Sequence, residues 1–341
     1  MIGGSVFLYI LLLDGKNKRK RENAMCTAIK HGLYVGRNLD VYKTYGEDII
    51  ITPRNYAISL RKEANIQNHY AMIGMGTVAR GYPLYYDAAN EHGLYMAGLN
   101  FVGNAHYTTP SDGLCNLAPY ELIPYILAKC KTVAEAKAEL ANINLVSVPF
   151  SRELPLAELH WMIADKSDVI DVITVEPDKN GISIYDNPTG VLTNNPRFPL
   201  QLFALNSFRH LSTEAHGNTF LPKIDLATYS EGMGAIGMPG DLSSASRFIR
   251  AAFHTAHART DSQITLFQLL KSVAMPDGSV KVGDLFERTE FTTGVSLGTM
   301  TYYYQGYDSA AISAVRLFCE DIDAPSLIIF PTKPSEPLYQ N

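Results

Sequence analysis

Cysteine is scarce in this chain: among 341 residues there are four, at positions 26, 115, 130 and 319, and no two form a Cys-x-x-Cys pair. Neither a zinc site nor a disulfide framework is indicated, and a reducing cytoplasm fits that usage. Clustered positive charge is absent after Arg21, and the formal net charge is −5. A nucleic-acid partner is excluded on that ground, because phosphate binding needs grouped Lys and Arg. Long apolar runs are missing as well. Val6 to Leu13 is a run of eight, or eleven counted from Gly3, whereas crossing a bilayer takes about 20 residues. No membrane association is expected. The basic residues Lys16, Lys18, Arg19, Lys20 and Arg21 follow this run instead of preceding it, which is the wrong order for a secretory signal. With 46% hydrophobic and 18% charged residues, no internal repeat and no low-complexity linker, the chain is expected to form one soluble domain with an ample core.

What is present is a cysteine in an unusual position. Cys26 follows Met25 directly and opens the run Met-Cys-Thr-Ala-Ile-Lys-His-Gly-Leu-Tyr-Val-Gly-Arg37-Asn38-Leu39-Asp40. If translation begins at Met25, its removal leaves one residue carrying both a thiol and a free α-amine. A free thiol titrates at about 8.5 and an α-amine at about 7.7 to 8.0, so the amine can take the thiol proton near neutrality. A strand, a tight turn at His31-Gly32 and a returning strand from Leu33 would bring Arg37 and Asp40 back beside Cys26. The arginine would stabilise the thiolate, and the aspartate would orient the ammonium.

Residues 1–25 are therefore read as a leader absent from the working protein, and 26–341 as a single domain. The leader is either a propeptide or untranslated sequence assigned to the protein through an upstream start. The second reading is preferred, because Lys18-Arg-Lys-Arg-Glu22 is what a purine-rich ribosome-binding stretch yields when read as codons.

Along the chain, strand-like runs occur at 49–52, 69–73, 94–101, 159–164, 169–176 and 182–185, with another at 299–307. Helical patterns occupy 120–131 despite Pro124, and 132–142 behind the capping box Thr132-Val-Ala-Glu135. Two more run from Ser243 or Ser244 to about Arg259, and from Asp261 to Met275. Strands, then helices, then strands again suggest α+β sheets covered by helices. The polar stretch Asn206 to Glu231 is long for a loop and reads as a lid or an assembly arm.

Three motif matches are declined. Gly294-Val-Ser296-Leu-Gly298 has the letters of a nucleophile elbow, yet a strand sequence follows where that elbow needs a helix. Gly232-Met-Gly234-Ala-Ile-Gly237 matches a dinucleotide fingerprint, but Pro239 and Gly240 stand where the phosphate-binding helix should begin. His254 and His257 could share a helix face without a third metal ligand.

Six ordered motifs remain: Met25-Cys-Thr-Ala-Ile with Gly-Arg-Asn-Leu-Asp40, Asn90-Glu-His-Gly-Leu, Ala97-Gly-Leu-Asn-Phe101, Leu159-His-Trp-Met, Val191-Leu-Thr-Asn-Asn-Pro196, and Pro239-Gly-Asp-Leu-Ser-Ser-Ala-Ser-Arg-Phe248. Together they resemble the choloylglycine hydrolase family, most closely its bile salt hydrolases, from Met25 onward. The resemblance implies an α+β N-terminal nucleophile hydrolase with an αββα four-layer sandwich, needing no metal or cofactor. Cys26 matches the nucleophile, Arg37 and Asp40 the arginine and aspartate of Gly-Arg-Asn-x-Asp, and Arg247 the arginine near the thiol. Asn100 matches a backbone oxyanion donor and Asn194 a side-chain one. The span from Cys26 to Arg37 is shorter than is usual in the family.

The implied substrates are conjugated bile salts of the glycocholate and taurocholate class, and the implied assembly is a homotetramer held by 206–231. Leu39, Asn100, the loops near Tyr82 to Tyr86 and the segment 146–156 are the candidates for the steroid pocket. Alternatives are a penicillin V acylase on the same scaffold, in which the position of Asn100 is commonly tyrosine, and a non-catalytic bile-salt-binding relative.

Overall fold

The computed structural model describes residues 25–167 and 171–332. The leader up to residue 24, the first residues of the strand expected at 169–176 and the tail from 333 lie outside the described residues. Two antiparallel sheets form the centre. The first has seven strands, in the order Val191–Leu192, Met25–His31, Tyr34–Val41, Leu285–Ser296, Thr301–Gly306 and Ser313–Arg316, with Val280–Val282 also paired to Leu285–Ser296. The second has eight, in the order Gly181–Asp186, Val172–Asp178, Leu159–Ala164, Tyr95–Asn100, Tyr82–Asn90, Met72–Ala79, Asp48–Thr52 and Ile328–Pro331. Helices Ser244–His257 and Gln263–Lys271 pack on the first sheet, and Leu122–Lys129 packs on the second. The expected αββα sandwich is the fold observed.

The sequence dictates these layers through strands that are apolar on both faces. In Ile49-Ile50-Ile51, Ile49 and Ile51 join the apolar cluster that contains Cys26, while Ile50 joins the cluster beneath Leu122–Lys129. Tyr95 and Ala97 divide from Met96 in the same way. Side chains alternate across a strand, so a continuous apolar run feeds two cores at once, each fully buried aliphatic side chain contributing roughly 1.5–3 kcal/mol.

Element ends differ from expectation for local reasons. The first hairpin turns at Gly32-Leu33, one residue later than expected, and Gly32 has φ +54°. A Cβ there would strike the Asp261 carboxylate, which accepts a hydrogen bond from Leu33 N at 3.1 Å. Asp261 is thereby committed to the turn, and Ser262 caps the helix Gln263–Lys271 in its place. That helix stops short of Met275, whose N–H donates to Thr289 Oγ1 at 2.7 Å. Pro124 is tolerated because it sits in the first turn of its helix, where an N–H has no intrahelical partner. Thr132 caps Val133–Leu140 by accepting from Glu135 N, but the Glu135 carboxylate reaches Lys131 N, one residue before the expected capping-box partner.

Ser296 ends the strand Leu285–Ser296, and the next element is the strand Thr301–Gly306 where the elbow would need a helix. Gly232 to Gly237 encloses a single 3-10 turn, Met233–Ala235. Among the described residues no His, Cys, Asp and Glu group is arranged to hold a metal, and no helix is long and apolar enough to cross a membrane.

Candidate active site

The first hairpin builds the site. Cys26 pairs with Leu39 and Ala28 with Arg37, so these four residues share one face; Thr27 pairs with Asn38 and Met25 with Asp40 on the other. The inner face meets the second sheet. Cys26 is 2% exposed and Arg37 1% exposed. Arg37 Nη2 donates to Cys26 Sγ at 2.5 Å, and Nη1 donates to the carbonyls of Gly98 at 2.6 Å and Tyr86 at 3.0 Å. Three acceptors from two sheets thus fix the guanidinium against the sulfur.

The outer face meets the helices. Asn38 donates to Leu270 O at 2.8 Å and accepts from Thr292 Oγ1 at 2.9 Å, a structural role. Asp40 Oδ1 accepts from Thr289 Oγ1 at 2.6 Å, while its Oδ2, also buried, accepts no hydrogen bond and lies 3.9 Å from Arg247 Nη1. Arg247 stands in the first turn of Ser244–His257, behind the Ser243 cap, and is wholly buried. Its Nη1 donates to Cys26 O at 2.7 Å and to Thr27 Oγ1, its Nη2 to Asn194 Oδ1 at 2.8 Å, and its Nε to Leu242 O at 3.0 Å.

Asn194, two residues beyond the edge strand Val191–Leu192, closes the site. Its Oδ1 accepts from Cys26 N at 2.9 Å and its Nδ2 donates to Asn100 O at 2.9 Å. The segment is clamped: Asn194 N donates to Ser244 Oγ at 2.8 Å, Gln201 Nε2 donates to Asn194 O at 2.6 Å, and His160 Nε2 meets Thr193 O at 2.8 Å. The six residues nominated from the sequence, Cys26, Arg37, Asp40, Asn100, Asn194 and Arg247, are therefore joined by direct contacts.

Leu39 is 4% exposed and lies in the apolar cluster of Cys26. The pocket segments read as loops need correction. Tyr82 to Tyr86 belong to the strand Tyr82–Asn90; Tyr82 and Tyr85 pack in the cluster under Leu122–Lys129, away from Cys26, and Tyr86 alone packs on the Cys26 side. In the segment 146–156, Phe150 packs edge-on against Tyr120 and tilted against Tyr82.

Electrostatics follows from burial. Burial pushes the Cys26 thiol up and Arg37 pulls it down; Asp40 adds to the rise and Arg247 opposes it, leaving the thiol raised overall. Burial likewise raises Asp40 against the pull of Arg247 and Thr289. The thiol needs a base at hand before it can attack.

Two buried acids were missed from the sequence. Asp87 stands behind Arg37, and Glu287 stands two residues before Thr289 on the Asp40 face with neither carboxylate oxygen hydrogen-bonded. Burial pushes Glu287 up to about 8, Asp40 adding to the rise and Arg247 opposing it. For Asp87 the signal available was an acid in a mostly apolar strand, Tyr82–Asn90; the strand of Glu287 is mixed and carries no such signal.

A buried sulfur held by one arginine, a second arginine and a carboxylate behind it, and amide donors beside it make a site suited to acyl transfer from an amide. The model for linear amide C–N hydrolases, choloylglycine hydrolase family, matches residues 25–330. The chain is 44% identical to a bile salt hydrolase/transferase of Lactiplantibacillus plantarum, over 92% of this chain and 99% of that one. It superposes on a variant of the conjugated bile acid hydrolase from Clostridium perfringens with TM-score 0.86 and 31% identity, over 92% and 99% of the two chains. A penicillin V acylase from Agrobacterium tumefaciens shares the fold, with TM-score 0.69 and 19% identity over 90% and 91%. The chain belongs to the choloylglycine hydrolase family of linear amide hydrolases.

Proposed function

We propose that the protein hydrolyses the amide bond joining a bile acid to glycine or taurine, and that its working form begins at Cys26. The observation that carries this reading is the contact network joining Cys26 to Arg37, Asn194 and Arg247. The family match starting at residue 25 and the bile-salt-hydrolase names of the relatives support it.

With Met25 still attached, Cys26 N is an amide donating to Asn194 Oδ1. Removal of Met25 turns it into an amine able to accept the thiol proton. The thiolate, held by Arg37, attacks the substrate carbonyl, and the oxyanion is met by Asn194 Nδ2 and the backbone amide of Asn100. The ammonium, oriented by Asp40, returns the proton to the leaving nitrogen, and glycine or taurine departs. Water then cleaves the cholyl thioester and restores the sulfur. Leu39 and Asn100 contact the substrate beside the sulfur, and no cofactor enters any step. Asparagine at position 100 favours bile salts over penicillin V.

Comparing glycocholate, taurocholate and penicillin V at steady state tests the substrate. Bile-salt kcat/KM should lead, and a penicillin V preference of about tenfold or more would reverse the choice. Cys26→Ala should cut turnover by about 10⁴-fold or more with the fold kept, and retained turnover would remove the sulfur from the reaction. The same reading includes a cytoplasmic homotetramer, in which the segment 206–231 joins the copies.

A further inference from the structure

Asp87 lies on the second sheet, wholly buried, and takes no part in the steps above. Three hydroxyls converge on its Oδ2: Tyr302 at 2.9 Å and Thr293 at 3.2 Å from the first sheet, and Tyr95 at 3.1 Å from the second. Thr293 is the register partner of Arg37. Both carbonyls that receive Arg37 adjoin Asp87: Tyr86 precedes it, and Gly98 follows Ala97, its cross-strand partner. Arg37 and Asp87 also feel each other's charge: Asp87 helps to hold Arg37 protonated, and burial pushes the Asp87 carboxyl up while Arg37 and the three hydroxyls pull it back down. A carboxylate in apolar surroundings persists only with donors or an opposite charge, and Asp87 has both, spanning the gap between the sheets.

We propose that Asp87 is a positioning residue: anchored by Tyr95, Tyr302 and Thr293, it fixes the Arg37 guanidinium against Cys26 Sγ and so sets the pH at which the sulfur becomes nucleophilic. This rests on the reading of Cys26 as the nucleophile. If Asp87 acted on the sulfur directly, removing its charge would ease ionisation of the thiol. If it acts through Arg37, removal loosens the guanidinium and makes ionisation harder.

The experiment is the pH dependence of Cys26 alkylation by iodoacetamide, with the modified residue located by peptide mass and the glycocholate kcat/KM followed in parallel. Asp87→Asn should raise the alkylation midpoint by about one pH unit and lower kcat/KM near neutrality about tenfold. Tyr302→Phe should move both in the same direction by less, and it carries the test if Asp87→Asn fails to fold. In an Arg37→Met background, Asp87→Asn should add no further shift. An unchanged or lowered midpoint, or a shift that persists without Arg37, would overturn the proposal. Alkylation at Cys26 that leaves the parent enzyme active would instead sink the nucleophile reading, so the two failures are separable.

Discussion

The space between the sheets and the segment 206–231 break the ordinary partition of residues in opposite directions. Between the sheets and under the first helical layer the protein buries Arg37, Arg247, Asp40, Asp87 and Glu287. On 206–231 it exposes Phe220 by 82% and Tyr229 by 85%, with Leu221, Ile224 and Leu226 also outside. Buried charge costs stability and solvated apolar surface invites association, so neither is retained for the fold alone. The first region concentrates field on one sulfur; the second offers contact to another surface. Under the proposed reading the first region is where catalysis takes place and the second is where copies of the chain meet.

The sharpest way to break that contrast is at Arg247. Arg247→Met leaves the buried Asp40 without its cation, and should cost about 3–5 kcal/mol of stability in urea unfolding. It should also lower kcat/KM by about 10³-fold in glycocholate hydrolysis. A variant of parental stability would mean that the buried charges are not coupled. At the other region, Phe220→Asp with Tyr229→Asp should reduce the proposed tetramer to smaller species by light scattering, with kcat/KM held within about threefold. Loss of activity in step with assembly would join the two regions into one.

The smallest effect concerns Glu287. Its carboxyl is pushed from an ordinary 4.5 to about 8 by burial, so the folded state keeps a proton that the unfolded chain releases. Its contribution is fully present below pH 4.5 and is lost as pH rises through about 8. Glu287→Gln should therefore gain roughly a few degrees of Tm over the parent at pH 8.5 and little at pH 5. An equal gain at both values would show that Glu287 does not titrate in this range.

Much of the site was legible because its polar residues stand in short, ordered motifs. Gly-Arg37-Asn-Leu-Asp40 needed only one hairpin to return to Cys26, and Thr193-Asn194-Asn195 follows directly on a two-residue strand paired to the first. Four of the five α-helices among the described residues were legible from their caps and periodicity; Phe198–Ala204 was not. Asp87 was not, since its first-sheet donors Thr293 and Tyr302 lie 206 and 215 residues away and nothing local marks them. Tyr82 to Tyr86 were misjudged because aromatic residues read as pocket wall, whereas the strand carries an extra residue opposite Met75 and Gly76, and both Tyr82 and Tyr85 pack into the other core. Sheet order was equally illegible: pairing of Leu285–Ser296 beside Tyr34–Val41 joins segments far apart in the chain.

The central claim is that a free α-amine on Cys26 is the base for its own sulfur. Single-turnover hydrolysis of glycocholate should be compared between a chain that begins at Cys26 and one in which an alanine is retained ahead of it, both verified by intact mass. The account predicts a loss of about 10³-fold in the blocked chain, with Cys26 still alkylated at high pH. Turnover within about tenfold of the unblocked chain would contradict it.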